Sequence, residues 1–377
     1  MNVRIPLAKP EITDADREAV AAVLRTPYLS MGPRLAEFEQ AMAAYLHCPF
    51  AVAVNSGTSA LHLAIKTLNI PQGAEVILPS FTFSAVLNVL LQEGLLPVFA
   101  EIDASTFNLT VETVAPLLSK RTAAVIVVHT FGRPAPIGPL RALCRKHAIP
   151  LIEDACEALG AEVNGQKVGT FGDAGVLAFY PNKQITTGEG GMLLTPRSEL
   201  AGAARRLRNQ GRDPSLDWFQ HVDVGYSYRL SDMNCALGTS QLHRIEETMK
   251  RRQFLAGQYD RRIAQIGNIV RPPLHEKNGK ISWFSYVIQL PPEFAAAGRD
   301  QVSRRLADKG IQTGRYFAPL HRQPVARSLP APNLPVTDSA AARALALPFF
   351  NQLTEAEIDE VCTALAESLA ELRARTT

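Results

Sequence analysis

The stretch "FAVAVNSGTSALHLAIKTL" (residues 50–68) shows the pattern that decides the fold of this chain. Its apolar run at 50–54 predicts a buried strand, and the segment from Ser56 onward predicts a helix after a short turn. The same order recurs in "EVILP" followed by "FSAVLNVLLQEG", and further apolar runs lie at 97–102, 123–128 and 149–155. Strands that alternate with helices predict an α/β fold with a mainly parallel sheet flanked by helices.

This alternation ends near residue 250. The segment 231–266 predicts one long helix, which ends before "RPPLHEKNGK". A strand in "SWFSYVIQL", a helix near 299–309 and a strand near 311–316 follow it. Such a mixture is typical of an α+β unit rather than of a continued parallel sheet.

The last helix carries the clearest signals in this part of the chain. Thr354 and Glu357 have the spacing of a capping box. One apolar face continues from there, formed by Ile358, Val361, Leu365, Leu369 and Leu372. We therefore predict a large domain over residues 1–250, which includes the N-terminal segment, and a smaller C-terminal α+β domain over residues 251–377.

The composition of the chain argues against several classes of protein. The 377 residues carry a net charge of +3, with 46% hydrophobic and 20% charged residues, so nothing in the charge balance favours a nucleic acid or a membrane partner. The five cysteines form no C-x-x-C pair or Cys/His cluster, which argues against a disulfide scaffold and a metal site. The N-terminus becomes charged before a signal-peptide core could form, and the apolar runs are too short to span a bilayer. We expect a cytoplasmic protein.

The turn after the first strand has the character of an anion site. Gly57 lets the backbone turn, and Thr58 and Ser59 place hydroxyls beside the free N–H groups of a helix start. Taken alone, an ordinary Ser/Thr helix cap explains this turn better. The glycine patterns that bind ATP or NAD are absent from the chain.

A lysine and a carboxylate complete the candidate site. In "AFYPNKQITTGEGG" (178–191), Lys183 lies between an aromatic strand end and a glycine-rich turn, where partial desolvation favours a nucleophilic amine. Asp154 ends a predicted buried strand, where α/β sheets bind ligands, although Asp154 and Glu157 also have capping-box spacing. A phosphate site, a carboxylate and a lysine are together what pyridoxal 5'-phosphate requires. Phe83 in "PSFTFSAV" could stack on its ring or could belong to the core.

Motifs along nearly the whole chain resemble one family. They are "IPLAKPEIT", "YLSMGPRLAEFE", "AVNSGTSALHLA", "PSFTFSA", "VVHTFGRPA", "IEDACEALGA", "GTFGD", "NKQITTGEGGM", "GYSYRLSDMNCALG", "RYFAPLH" and "LALPFFNQLTEAEI". With them the chain resembles the DegT/StrS-type nucleotide-sugar aminotransferases, which belong to the fold-type I class of aspartate aminotransferase. The resemblance implies a pyridoxal-phosphate-dependent transferase with a large domain and a smaller C-terminal one.

The resemblance also implies roles for the residues of the site. Lys183 corresponds to the Schiff-base lysine, Asp154 to the partner of the pyridine nitrogen, and Phe83 to the residue stacked on the ring. The turn formed by Gly57, Thr58 and Ser59 corresponds to the phosphate-binding turn. Glu157 stands where the family often has glutamine or histidine near the phenolic oxygen of the cofactor.

A second segment bears on the phosphate. The resemblance implies a homodimer in which "GYSYRL" reaches the site of the neighbouring subunit, so Ser227 and Arg229 become candidates there. Many members have serine where this chain has Ala178, and asparagine where it has Ser227. Phosphate binding is therefore expected to depend more on the turn after the first strand, on Arg229 or on Asn182.

The activity implied by the resemblance is transamination. The amino group would pass from glutamate, or a similar donor, through an aldimine on Lys183 and pyridoxamine 5'-phosphate to the keto group of a nucleotide-linked deoxysugar. Tyr316 and His321 in "RYFAPLH" are candidate sugar contacts, with ordinary packing as the alternative. Three other functions stay open: a sugar dehydratase, a cyclitol aminotransferase, and a non-catalytic regulator that binds the cofactor. Dehydratases of this fold replace the lysine, so Lys183 argues against the first.

Overall fold

The computed structural model describes residues 3–213, 215–217 and 220–374. Its strands are β1 (Phe50–Val54), β2 (Glu75–Pro79), β3 (Leu96–Ala100), β4 (Thr122–Val128), β5 (Leu151–Asp154), β6 (Glu162–Val163), β7 (Gln166–Lys167), β8 (Ala174–Ala178), β9 (Gly191–Thr195), β10 (Gly279–Lys280), β11 (Tyr286–Gln289) and β12 (Ala344–Leu347). Seven of these form the main sheet, in the order β1-β9-β8-β5-β4-β2-β3.

Strands β3, β2, β4, β5 and β8 of the main sheet pair in parallel. Strand β9 is antiparallel to both of its neighbours, β8 and β1, so β1 points the same way as the parallel strands. The mainly parallel sheet predicted from the sequence is therefore confirmed. Two small antiparallel sheets lie outside it, one formed by β10, β6 and β7 and one by β11 and β12.

Helices follow most strands of the main sheet. They are α1 (Asp14–Leu24), α2 (Pro33–Leu46), α3 (Gly57–Thr67), α4 (Ala85–Gln92), α5 (Val111–Val114), α6 (Ile137–Lys146), α7 (Ser198–Arg208), α8 (Asp232–Leu242), α9 (Ile245–Ile263), α10 (Ala297–Asp308), α11 (Pro335–Arg343) and α12 (Glu355–Ala374). Within the described ranges, no helix is both long enough and apolar enough to cross a membrane.

The apolar residues of the strands pack against both faces of the sheet. In β1, Ala51 and Ala53 join the core on one face, whereas Val52 and Val54 join the core on the other. Both faces are covered by helices, which explains why these strands lack polar alternation in the sequence. A third core fills the C-terminal part between α9, α10, α12 and the β11–β12 pair, and it also includes Ile5.

The last helix forms as predicted. The backbone N–H of Thr354 donates to the Glu357 carboxylate, and the N–H of Glu357 donates to the Thr354 hydroxyl, so the capping box is present. The predicted apolar face is buried along its whole length. Because both signals are local to the helix, they could be recognised without knowing the rest of the fold.

Three expectations for the second half were wrong in detail. The helix predicted over 231–266 divides into α8 and α9, because the backbone leaves the helical conformation at Arg244 (φ −114°, ψ 17°). The Arg244 guanidinium binds the buried Asp16 carboxylate at 2.6 Å, and this ion pair ties the break to α1. The strand predicted near 311–316 is reduced to isolated bridges at Ile311 and Gly314. Only the last part of "SWFSYVIQL" forms a strand, β11.

The predicted domain boundary at 250/251 falls inside α9. The division into two domains stays a prediction. Residues 1–2 and 375–377, the outer ends of the two predicted domains, lie outside the described residues.

Two helical glycines give opposite expectations for the same substitution. A Cβ added at Gly238 in α8 would stand 2.7 Å from the ring of Phe38, which is fully buried against Phe179. A Cβ added at Gly257 in α9 meets nothing within 4 Å. We expect Gly238→Ala to lower the free energy of unfolding by about 1–3 kcal/mol through overpacking. Gly257→Ala should raise it by about 0.5–1 kcal/mol, because alanine loses less backbone entropy in a helix.

Denaturant unfolding of the two variants beside the unmodified protein measures both effects. A stabilising Gly238→Ala substitution would contradict the close packing of α2 against α8.

Candidate active site

A cleft of about 430 Å³ lies at the carboxyl edge of the main sheet. The segments that follow β1, β2, β5 and β8 all reach it, because parallel strands end at the same edge. Three aromatic residues from the C-terminal half close it. The lining residues are Ser56, Gly57, Thr58, Leu61, Thr82, Phe83, Ala85, Val128, Asp154, Cys156, Glu157, Ala178, Tyr180, Asn182, Lys183, Glu189, Gly190, Phe284, Tyr316 and Phe317.

The turn between β1 and α3 brings a helix N-terminus to this cleft. Ser56 caps the helix, since its hydroxyl accepts a hydrogen bond from the backbone N–H of Ser59 at 3.0 Å. Gly57 and Thr58 follow it in the first turn, where backbone N–H groups have no acceptor within the helix. The side chain of Ser59 is buried and donates to Asn55 Oδ1 at 2.7 Å, so it lies outside the residues that line the cleft.

Gly57 is also required by close packing. A Cβ at this position would stand 2.7 Å from the Cβ of Ala178 at the end of β8. The start of α3 therefore sits directly against the strand that leads to Lys183.

Asp154 occupies the end of β5, as the sequence predicted. Its carboxylate accepts a hydrogen bond from the backbone N–H of Cys156 at 3.0 Å. Glu157 does not close a capping box with it, since the Glu157 carboxylate accepts from the backbone N–H of Phe131 at 2.9 Å. The capping-box alternative is therefore wrong, and both carboxylates line the cleft.

Lys183 extends into the same space from the loop after β8. Its ammonium nitrogen lies 3.7 Å from Glu157 Oε1 and 4.2 Å from the centre of the Phe284 ring. The Lys183 side chain is 14% exposed and the Glu157 side chain 9% exposed. Gln184 anchors the loop by donating to the backbone oxygens of Glu157 and Ser282 at 2.6 and 2.8 Å. The lysine is thus held in a partly desolvated position, as the glycine-rich stretch indicated.

Burial raises the pKa of three acidic groups that line the cleft. Burial raises the pKa of Glu157 above its usual value, and this is opposed by the Lys183 ammonium and by the N–H of Phe131. Burial, together with the charge of Asp154, raises the pKa of the Cys156 thiol well above its usual range. Burial likewise raises the pKa of Tyr316. The Cys156 thiol is therefore protonated at neutral pH and is no nucleophile.

Two further candidates line the cleft. Phe83 is 63% exposed there, which leaves one face of its ring free for a planar partner. Asn182 also lines the cleft, and its buried Oδ1 has no hydrogen-bond partner within the described residues. An unpaired buried amide oxygen is costly, so it indicates a missing donor.

Besides Ser59, three predicted site residues lie outside the lining of the cleft. The Ser227 hydroxyl accepts from Arg229 Nη2 at 2.9 Å, and Arg229 Nη1 donates to Asn209 at 3.1 Å, outside the cleft lining of this chain. Arg229 does not pair with Asp232, whose carboxylate binds the backbone at the start of α2. His321 is buried and binds Ser80 instead of facing the cleft.

Sequence reasoning missed several lining residues. Glu189 lies in the same glycine-rich stretch as Lys183, and Phe317 follows Tyr316, so both could have been found from neighbouring motifs. Phe284 lies in "SWFSYVIQL", whose apolar pattern indicated only a strand. Within the part of the chain that the structure describes, no group of three or more His, Cys, Asp or Glu residues could hold a metal ion.

The chain is similar in sequence and in fold to known proteins. Residues 10–366 match the sequence profile of the DegT/DnrJ/EryC1/StrS aminotransferase family. The chain is 37% identical to GDP-perosamine synthase of Caulobacter vibrioides, over 97% of this chain and 98% of that protein. It is 34% identical to the dTDP-4-dehydro-2,3,6-trideoxy-D-glucose 4-aminotransferase of Saccharopolyspora spinosa, over 95% and 94% respectively. The structure of the aminotransferase TlmJ from Streptoalloteichus hindustanus superposes with a TM-score of 0.93 at 32% identity, over 98% and 100%.

The burial of Glu157 predicts a pH-dependent effect of neutralising it. A carboxyl group with a raised folded pKa stabilises the protein fully below its usual value of 4.5, and this contribution is lost as the pH rises through the folded value. Glu157→Gln removes the titration and keeps an acceptor for the N–H of Phe131. The cofactor-free variant should therefore gain thermal stability, relative to the unmodified protein, as the pH is raised from about 5 through neutrality.

Unfolding temperatures of both proteins across this range measure the difference. A relative gain that grows on acidification instead would mean that Glu157 is stabilised as an anion.

Proposed function

The chain belongs to the DegT/DnrJ/EryC1/StrS aminotransferase family, and we propose that it transfers an amino group from glutamate to the keto group of a nucleotide-linked deoxysugar. It is a pyridoxal-phosphate-dependent enzyme. The main support for the proposal is that Lys183, Asp154 and the N-terminus of α3 line the same cleft. The two relatives named above act, by their names, on GDP- and dTDP-linked sugars, which supports the same class of substrate here.

The residues of the cleft fit the cofactor. The N–H groups at the start of α3 suit its phosphate, Asp154 suits a protonated ring nitrogen, and Phe83 offers a free face to the ring. The unpaired oxygen of Asn182 is available to a donor from a ligand. When bound, pyridoxal phosphate supplies an electron-withdrawing ring that stabilises negative charge on the carbon next to the transferred nitrogen.

Lys183 is the residue that we assign to covalent attachment and proton transfer. Its amine must lose a proton before it attacks a carbonyl, and it must carry a proton between two carbons afterwards. The Glu157 carboxylate is the nearest acidic group at 3.7 Å, and the Phe284 ring shields the other side from water. This setting holds the amine in place while leaving it free to change protonation state.

The net reaction follows from these roles. Glutamate donates its amino group and leaves as a 2-oxo acid, and the keto-sugar then receives the group and leaves as an amino sugar. The two substrates use the same cleft in turn, so ping-pong kinetics are expected. Lys183 favours this reaction over the dehydratase alternative, because a lysine is needed for both covalent attachment and proton transfer.

Charge in the cleft supports a homodimer with shared sites. Within the described lining, Lys183 is the one basic side chain, whereas Asp154, Glu157 and Glu189 are acidic. A cofactor phosphate and a sugar nucleotide bring several negative charges, so further cations are required. Arg229 lies on a segment with exposed apolar neighbours, including Val224 at 91% exposure, which suits contact with a second subunit. We therefore propose that each subunit contributes Arg229 to the site of its partner.

The same proposal includes the cytoplasm as the location of the enzyme. All five cysteines are free thiols, which is typical of proteins in a reducing compartment. Sugar nucleotides and glutamate are both substrates of soluble enzymes in that compartment.

The first test concerns Lys183. With glutamate and a panel of GDP- and dTDP-linked keto-sugars, the purified enzyme should convert at least one sugar into the amino sugar, detected by mass spectrometry. Lys183→Ala should lose at least about 10³-fold in rate, because one residue supplies both the covalent bond and the proton transfer. Borohydride treatment of the holoenzyme should leave the cofactor attached to the peptide that contains Lys183.

A matched control is Lys120→Ala, an exposed lysine outside the described cleft lining, which should keep its activity. Attachment to another lysine, or full activity in Lys183→Ala, would contradict the assignment.

The second test concerns the shared site. Lys183→Ala and Arg229→Ala should each be inactive as homodimers, because each lacks one part of every site. In a mixture that exchanges subunits at random, half of the dimers carry one intact site, so roughly a quarter of the normal activity should return. Absence of recovery despite demonstrated subunit exchange would mean that each subunit builds its site alone.

A further inference from the structure

A buried polar contact joins two segments that both line the cleft. Ser80, which directly follows β2, places its hydroxyl 2.6 Å from His321 Nδ1. The backbone N–H of His321 donates to the same hydroxyl at 3.2 Å, and the N–H of Leu320 donates to the backbone oxygen of Ser80 at 2.8 Å. Ser80 is fully buried, and so is the His321 side chain. We call this set of contacts the Ser80–His321 latch.

We assign the imidazole as a neutral ring whose Nδ1 faces the Ser80 hydroxyl. That hydroxyl accepts from the backbone N–H of His321, and in this assignment its own hydrogen points to Nδ1. Nδ1 is then the acceptor, and Nε2 carries the hydrogen of a neutral ring. Burial lowers the pKa of His321, which agrees with a neutral ring, although Asp338 on α11 opposes this effect. Nε2 stands 3.3 Å from Asp338 Oδ1.

Serine, histidine and aspartate in this order resemble a hydrolytic triad, but the geometry excludes that chemistry. A nucleophilic serine must reach a substrate, whereas Ser80 has no exposed surface. Its hydroxyl is already engaged by the backbone of the segment that it holds. The cluster therefore acts by holding the chain in place.

The latch joins two parts of the chain that line the cleft. Ser80 precedes Thr82 and Phe83, and His321 follows Tyr316 and Phe317, and all four of these neighbours are lining residues. We call the two parts the Phe83 wall and the Tyr316 wall. Next to the latch, the ring of Phe81 packs edge-on against Phe317, with centroids 5.9 Å apart. One polar and one aromatic contact thus join the same two segments.

The segment that contains Tyr316, Phe317 and His321 has little regular structure of its own. Between α10 and α11 it forms only two short 3₁₀ turns, at Leu320–Arg322 and Pro324–Ala326. Its far end is fixed by Glu101, whose carboxylate accepts from the backbone N–H groups of Val336 and Thr337 at the start of α11. Without the latch, the wall formed by Tyr316 and Phe317 would keep the ring contacts but lose its polar attachment to the sheet.

We propose that His321 is a positioning residue, which sets the distance between the Phe83 wall and the Tyr316 wall and thereby selects the bulky keto-sugar. This inference rests on the proposed function. A small amino donor touches little of these walls, whereas a sugar nucleotide needs both. Loss of the latch should therefore weaken sugar binding much more than donor binding.

Two substitutions at position 321 distinguish the contact made by Nδ1 from the contact made by Nε2. The amide of asparagine can occupy the position of Nδ1, so His321→Asn keeps a partner for Ser80. The amide of glutamine reaches the position of Nε2, so His321→Gln keeps only the contact with Asp338. Ser80→Ala removes this hydrogen bond and also the acceptor of the His321 backbone N–H, and it serves where His321→Gln folds poorly.

In steady-state kinetics of the holoenzyme, His321→Gln should raise KM for the keto-sugar about 3- to 10-fold, the effect of losing one neutral hydrogen bond. Ser80→Ala, which loses two hydrogen bonds, should raise this KM at least as much. KM for glutamate and kcat should change less than about twofold, and His321→Asn should behave like the unmodified enzyme. Equal increases in both KM values, or an unchanged KM for the sugar in Ser80→Ala, would overturn the proposal.

Hydrogen exchange provides a readout that needs no substrate. In the cofactor-free protein, the amides of Leu320 and His321 should exchange faster in Ser80→Ala and His321→Gln, but not in His321→Asn. Unchanged exchange of these amides in Ser80→Ala would contradict the inference that the latch holds this segment. If the unmodified enzyme aminates no nucleotide keto-sugar, the proposed function fails, while the exchange experiment still decides whether the latch exists.

Discussion

The carboxylate of Glu153 has no exposed surface, yet it accepts hydrogen bonds from the backbone N–H groups of Gly169, Phe171 and Gly172 at 2.6–2.8 Å. His129 Nε2 binds it from the neighbouring strand end at 3.0 Å. A buried carboxylate is tolerated only when its acceptor capacity is filled in this way. The requirement ties the loop before β8 and the loop after β4 to the central strand β5. The positions of both loops follow from this one buried group.

The contacts of Glu153 also influence the position of Lys183 in the cleft. His129 Nδ1 accepts from the backbone N–H of Ala135, so the loop after β4 is held in a defined course. The same loop presents the N–H of Phe131 to the Glu157 carboxylate, and Glu157 in turn faces Lys183. The lysine is thus oriented through a series of short contacts that begins in the core of the sheet. Each contact is desolvated, and desolvation strengthens the electrostatic interaction between the charged groups.

The walls of the cleft have a different origin. Lys183, Asp154 and the start of α3 come from the main sheet, whereas Phe284, Tyr316 and Phe317 come from the C-terminal half. The chemistry is thus placed on the rigid sheet, and the shape available to a substrate depends on an irregular segment attached by the Ser80–His321 latch. This arrangement allows substrate preference to change without disturbing the lysine.

The sequence by itself determined the alternation of strands and helices, the capped last helix, and the position of Lys183, Asp154 and Phe83 at the carboxyl edge, because these signals are local and parallel strands end at one edge. It could not place Ser59, whose hydroxyl turns to Asn55, or His321, whose ring turns to Ser80. Side-chain direction in an irregular segment depends on partners that are distant in the chain. For the same reason, the break between α8 and α9 became visible only with the ion pair between Arg244 and Asp16.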